Sequence, residues 1–235
     1  MRNNRIKAGI KIAVVSLLIC LTVLTTAGAV YSENVFNSIS ENVVRLHVIA
    51  NSDSKEDQTL KLKVRDAIVE YTRTSIDCYS SSCEVLKALS ENCQEIKAVA
   101  EKCLRDEGSS YSANVYVGEY DFPSKNYGNY CFPAGKYQAL RVVIGEGDGK
   151  NWWCVLFPPL CYISENAVSV SSDAEESLRK NLSEEAFSTI DGEKDDTRPS
   201  VDNVGDSSGI DGDVQVTYKF KIVDLFQNII SFFKD

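Results

Sequence analysis

Nineteen consecutive residues without a charge, Ile12 to Val30 ("IAVVSLLICLTVLTTAGAV"), follow a basic flank carrying Arg2, Arg5, Lys7 and Lys11. A helix of about 20 apolar residues spans a bilayer core. The basic flank keeps its own end in the cytoplasm, which puts everything after Val30 outside. Ala27-Gly28-Ala29 reads equally well as the small-residue cleavage site of a signal peptide. Ile19, before Cys20, is too bulky for a lipoprotein cleavage site, which argues against lipidation there. Under both readings the bulk of the chain is exported, and its charges and cysteines are read in that light.

Setting aside the four bases of residues 1–30 leaves 21 of the 25 Lys and Arg against all 34 Asp and Glu, a net charge of −13. Nucleic acid and anionic lipid require a basic surface, so neither is bound through bulk charge. The remaining 205 residues suffice for one domain with a core. Seven of the eight cysteines, at 78, 83, 93, 103, 131, 154 and 161, lie beyond the apolar run. Outside the cytoplasm they can form disulfides, and the odd number leaves at least one unpaired or bonded between chains.

Residues 31–42 read as a short polar approach. "VVRLHVIA" (43–50) is a strand rich in β-branched residues, and "NSDS" (51–54) a turn whose side chains cap the helix after it. That helix places Leu60, Val64, Ala67, Ile68 and Tyr71 on one stripe. Ser81 and Glu84 form a capping box for a second helix with the stripe Val85, Leu89, Cys93, Ile96, Val99 and Cys103, and Gly108 stops it. "SANVYVGEY" (112–120) alternates as a strand. "YQALRVVIG" (137–145) and "WWCVLF" (152–157) read as a hairpin turned by "GEGDGKN". Residues 173–190 can form a helix and 191–213 read as a disordered acidic linker. "VQVTYKFKI" and "VDLFQNIISFF" close the chain as strand and helix. The order predicts an α+β or α/β fold, a small mixed sheet with two consecutive helices packed on it. Its parts are a signal or anchor (1–30), a globular core (31–163), an acidic segment (164–213) and a closing strand and helix (214–235).

No catalytic constellation and no metal or cofactor site emerges. His47 is the sole histidine, and as a base it lacks a local nucleophile; it reads as a polar residue on a sheet surface. Asn51, Ser52, Asp53 and Asp57 lack the glycine and terminal glutamate of a calcium loop. "GEGDG" has no following Lys-Ser/Thr and precedes a strand, so it is a turn and not a phosphate loop. Cys83, Cys93 and Cys103 drift across helix faces and lack the close pairs of a zinc site. They read as small core residues or local disulfide partners, such as Cys78 with Cys83. Cys154 and Cys161 enclose Pro158-Pro159, which turn the chain and favour a disulfide over a nucleophilic cysteine. Trp152 and Trp153 are adjacent on a strand and must point to opposite faces, one inward and one toward a partner.

"RLHVIANSDSKEDQTLKLKVRD" (45–66) and "FPAGKYQALRVVIGEGDGKNWWCVLFPPLC" (132–161) closely resemble the stage II sporulation protein R family. The resemblance implies an exported signal and not an enzyme. It would be made in the forespore and released into the space between forespore and mother-cell membranes. Its partner there would be a membrane-embedded aspartic protease that processes the pro-form of the mother-cell sigma factor E. Docking is expected on a patch of Arg45, His47, Asn51, Asp53, Arg141 and one of Trp152 or Trp153, because exposed aromatics and arginines carry most contact energy. The structural alternative pairs Arg45 with Asp53 or Asp66. The competing functional reading is an exported cell-wall or carbohydrate-binding protein, or a hydrolase, using the Trp/Cys stretch.

Overall fold

The computed structural model describes residues 2–76, 79–161 and 172–192. It opens with one continuous helix, α1 (Arg2–Asn42). The polar approach expected over 31–42 is helical because Val35 and Ile39, four residues apart, are buried in the domain and hold the last turns there. Phe36 stands edge-on to Tyr137 with ring centres 5.5 Å apart. Leu17, Leu18, Ile19 and Leu24, in contrast, are all more than half exposed. The stretch Val15–Asn42 is long and apolar enough to cross a membrane. It is compatible with a signal peptide or a membrane anchor.

The domain continues as β1 (Val44–Ile49), α2 (Lys55–Ile76), α3 (Ser82–Glu91), α4 (Cys93–Asp106), β2 (Ala113–Phe122), β3 (Lys125–Tyr127), β4 (Tyr130–Phe132), β5 (Gly135–Ile144), β6 (Asn151–Phe157), α5 (Ser172–Asn181) and α6 (Glu184–Ile190). Four strands form a mixed sheet in the order β2-β5-β1-β6, and β3 and β4 pair separately. β1 is parallel to β5 and antiparallel to β6.

The hairpin expected from "GEGDGKN" does not form, since β1 lies between β5 and β6. All six residues of β1 are buried, so it needs a strand on each side. The connection of residues 145–150 is long enough to step across the roughly 10 Å between next-nearest strands. Gly145 (φ 57°) and Gly147 (φ 72°) supply the left-handed backbone of that crossing.

The predicted second helix is two helices. Asn92 interrupts it, bonding back to the Ala88 carbonyl through both its backbone N–H (3.0 Å) and its side chain (2.8 Å). Beyond the break the buried line is Ile96, Ala100 and Leu104, while Val99 and Cys103 flank it half-buried. Ser81 accepts the Glu84 N–H as the N-cap of α3. Ser54 Oγ accepts the Asp57 N–H (3.1 Å) at the start of α2. Helices α2, α3 and α4 pack on the sheet face formed by Leu46, Val48, Leu140 and Val142.

The helical reading of 173–190 holds, in two pieces rather than one. Residues 173–190 are two helices, with Ser183 recapping the second. Leu178, Leu182, Ala186, Phe187 and Ile190 join the core, because a minority of apolar residues at helical spacing suffices to bury one face. Asp191 bridges Tyr130, and the Gly192 N–H reaches the Asn129 carbonyl at 2.7 Å. The expected closing strand and helix, and the rest of the linker, lie outside the described residues.

Candidate functional site

Alternation along β1 sends Arg45, His47 and Ile49 to the sheet face opposite α2–α4. Register then builds a row across all four strands. Tyr116 of β2 faces Arg141 of β5, Arg141 lies beside His47 of β1, and His47 faces Trp153 of β6. One end of this face is closed and the other is open.

Arg45 lies at the closed end and is fully buried. Its guanidinium carbon is 4.5 Å from the Phe122 ring centre and 4.9 Å from that of Tyr137, with Tyr127 and Phe132 at 5.7 Å. Arg45 Nη2 donates to Tyr127 Oη at 2.8 Å. Burial pushes the Tyr137 phenol up to about 12, so it stays neutral. Arg45 was expected either to dock a partner or to pair with an acid; among the described residues it pairs with no acid, and four aromatic rings enclose it. Asp66 pairs instead with Arg65 (2.6 Å) and Asp53 Oδ1 accepts the Lys150 N–H (2.7 Å).

His47 is also buried. It stacks on Trp153 with ring centres 3.7 Å apart, and its Nε2 meets Asn151 Oδ1 at 2.7 Å. Burial lowers its pKa to about 4, the Asn151 bond opposing and the nearby Arg141 charge assisting. The ring is neutral near pH 7. It is thus not the surface residue expected from the sequence, since a half-turn of strand cannot expose it beneath Trp153 and Phe122.

Asn51 and Asp53 hold the crossing loop. Asn51 Oδ1 accepts the Glu146 N–H at 3.0 Å, and the Asn51 and Ala50 carbonyls accept from Asp148 (3.1 Å) and Gly149 (3.0 Å). Asp57 takes the Asn51 amide (2.9 Å) and Ser52 hydroxyl (2.6 Å), and these bonds hold its carboxyl below the usual range. The "NSDS" turn therefore spends its polar groups within the fold.

The two tryptophans do point to opposite faces. Trp152 lies on the helix-covered side beneath Arg65, whose guanidinium carbon is 4.1 Å from its ring. Trp153 lies on the other side, edge-on to Phe122 at 4.7 Å. Cys154 and Cys161 are joined as a disulfide with Cα atoms 5.2 Å apart. Cys83, Cys93, Cys103 and Cys131 are free thiols; burial pushes Cys93 and Cys103 up, away from thiolate. Cys78 lies outside the described residues. Among the described residues, no group of three or more His, Cys, Asp or Glu could hold a metal ion.

The open end of the face consists of Tyr116, which is 50% exposed, with Tyr120, Arg141 and Trp153, all half-buried. Arg141 lies over the Tyr120 ring at 5.1 Å, and its Nε is buried without a hydrogen-bond partner. Tyr116 and Tyr120 were not singled out from the sequence, although the period-two spacing of "VYVGEYDF" carries the signal.

Fold and site together define a mixed α/β domain behind an apolar N-terminal helix, with one sheet face left partly uncovered. The family model described as stage II sporulation protein R matches residues 40–167. Stage II sporulation protein R of Bacillus subtilis (strain 168) is 36% identical over 160 residues, covering 68% of this chain and 71% of that protein. No solved structure matches the chain. The chain belongs to the stage II sporulation protein R family, and its role lies in sporulation.

Proposed function

We propose that this protein is an exported signal, made in the forespore and delivered to the space between the two membranes. There it activates a membrane-embedded aspartic protease from outside, and the protease processes the pro-form of a mother-cell sigma factor. The observation that carries this reading is the open sheet face, where exposed Tyr116 and an Arg141 without a carboxylate partner among the described residues offer contact chemistry. The groups that a hydrolase would use are otherwise engaged. His47 is buried and neutral, and Cys154 is in a disulfide. The apolar helix supports delivery across a membrane, either as a cleaved signal or as an anchor through residues 12–30.

The test is co-expression of the chain, the candidate protease and the pro-sigma substrate in a non-sporulating host. Cleavage should appear only when all three are present. Cleavage that persists when this chain is omitted would overturn the reading.

A further inference from the structure

Resting on that contact reading, we propose that β2 and the open sheet face form a groove for an extended acidic segment of a protein partner. The segment adds as a fifth strand along β2 and places a carboxylate on Arg141.

The backbone supplies the first part of the argument. Among the described residues β2 is an edge strand, with β5 on one side and no strand on the other. It runs ten residues without proline, so its outward N–H and C=O groups can template a further strand. On the open face β2 presents Asn114, Tyr116, Gly118 and Tyr120 at alternate positions. Gly118 leaves a gap between two tyrosines. A Cβ built there would meet the Tyr120 ring first, at 3.7 Å, which is ordinary contact. The backbone there does not exclude a side chain; glycine leaves room for the neighbouring Tyr120 ring and the Arg141 side chain.

The charge supplies the second part. Arg141 faces Tyr116 in register, yet its guanidinium lies over Tyr120, four residues further along β2, so it crosses the Gly118 gap. Among the described residues no carboxylate pairs with it, and its buried Nε has no partner. The side chains around it on this face, Asn114, Tyr116, Tyr120, His47, Trp153 and Asn151, bring no negative charge. A half-buried cation left without a counterion favours an incoming carboxylate, and a guanidinium binds one through two parallel bonds. The domain as a whole is acidic, so attraction of an acidic segment depends on this one residue.

A second copy of the chain does not fit as the occupant. Antiparallel pairing of two β2 strands would bring Asn114, Tyr116, Gly118 and Tyr120 to this face, while Glu119 and Asp121 point to the other. No carboxylate would reach Arg141.

The experiment selects a random decapeptide phage library on the full chain in detergent, then titrates the enriched peptides as synthetic copies. Enriched peptides should carry Asp or Glu, and changing that residue to Asn or Gln should weaken binding by at least about tenfold. Arg141→Gln should cause a similar loss, and Gly118→Leu should block binding while both variants keep the parent melting temperature. Hydrogen exchange of β2 amides should slow on peptide binding. Failure to enrich, enrichment without acidic bias, equal binding to Arg141→Gln, or β2 amides unprotected by bound peptide would each overturn the proposal, as would sedimentation of the unliganded chain as a dimer abolished by β2 substitutions. Omitting the chain from the co-expression assay separates the two readings. Peptide binding that meets these criteria, beside sigma-factor cleavage that never needed this chain, removes the signalling role and retains the groove.

Discussion

Trp152 and Trp153 are neighbours in the chain and lie under different regimes. Trp152 shares its sheet face with Leu46, Val48 and Leu140, roofed by three helices and Arg65. Trp153 shares the other face with a buried arginine at one end and a half-buried one at the other. The helix-covered face is closed by aliphatic burial, the usual source of stability. The second face is closed by an arginine inside four rings and then left open beyond His47. Two arginines offset by two residues on neighbouring strands thus have different tasks, and the difference is one of cover and not of residue type.

The largest test of this contrast is Arg45→Ala. It removes the centre of the aromatic cluster and leaves a cavity, so chemical denaturation should show a loss of about 3–5 kcal/mol. A loss under about 1 kcal/mol would mean that the closed end does not depend on Arg45.

The next concerns pH. His47 titrates at about 4 in the fold against 6.5 unfolded, so between those values the unfolded chain binds the proton that the folded chain refuses. Stability is therefore greatest above pH 6.5 and falls as pH drops toward 4, by roughly 3 kcal/mol in all. Denaturation midpoints of the parent and His47→Gln, measured from pH 7 to 4, should converge as the pH falls. Parallel curves would show that His47 is not buried neutral.

Replacing both Cys154 and Cys161 with serine should cost about 2–3 kcal/mol on the loop-entropy account, read by thermal unfolding. It bears on the helix-covered face, where Cys154 faces Leu46.

The smallest effect on stability is expected at the open end. Tyr116→Ala and Arg141→Gln should each change stability by about 1 kcal/mol or less, while sigma-factor processing in the co-expression assay falls sharply. Loss of stability and processing together would class the open end with the closed one.

Much of this architecture is legible along the chain. The uncharged run and its basic flank, the β-branched character of β1, the caps at Ser54 and Ser81 and the opposition of Trp152 and Trp153 are local properties, set by charge, side-chain branching and the two-residue period of a strand. The motif stretches around 45–66 and 132–161 carried the family. The helical character of 173–190 was legible too, through a narrow apolar stripe ending at Phe187 and Ile190, but the break before Ser183 was not.

What the sequence by itself determined was the apolar N-terminal run, the kinds of element and which residues alternate on each strand. The tertiary structure alone decided that β1 enters between β5 and β6, turning an apparent hairpin into a crossing held by Asn51 and Asp53. It also decided that Arg45 and His47 lie inside while Arg141 stays near solvent. The physical reason is that strand alternation assigns a residue to a face, whereas burial depends on what distant segments lay over that face. Here the cover comes from β3–β4 and Phe122, far along the chain from β1's central residues.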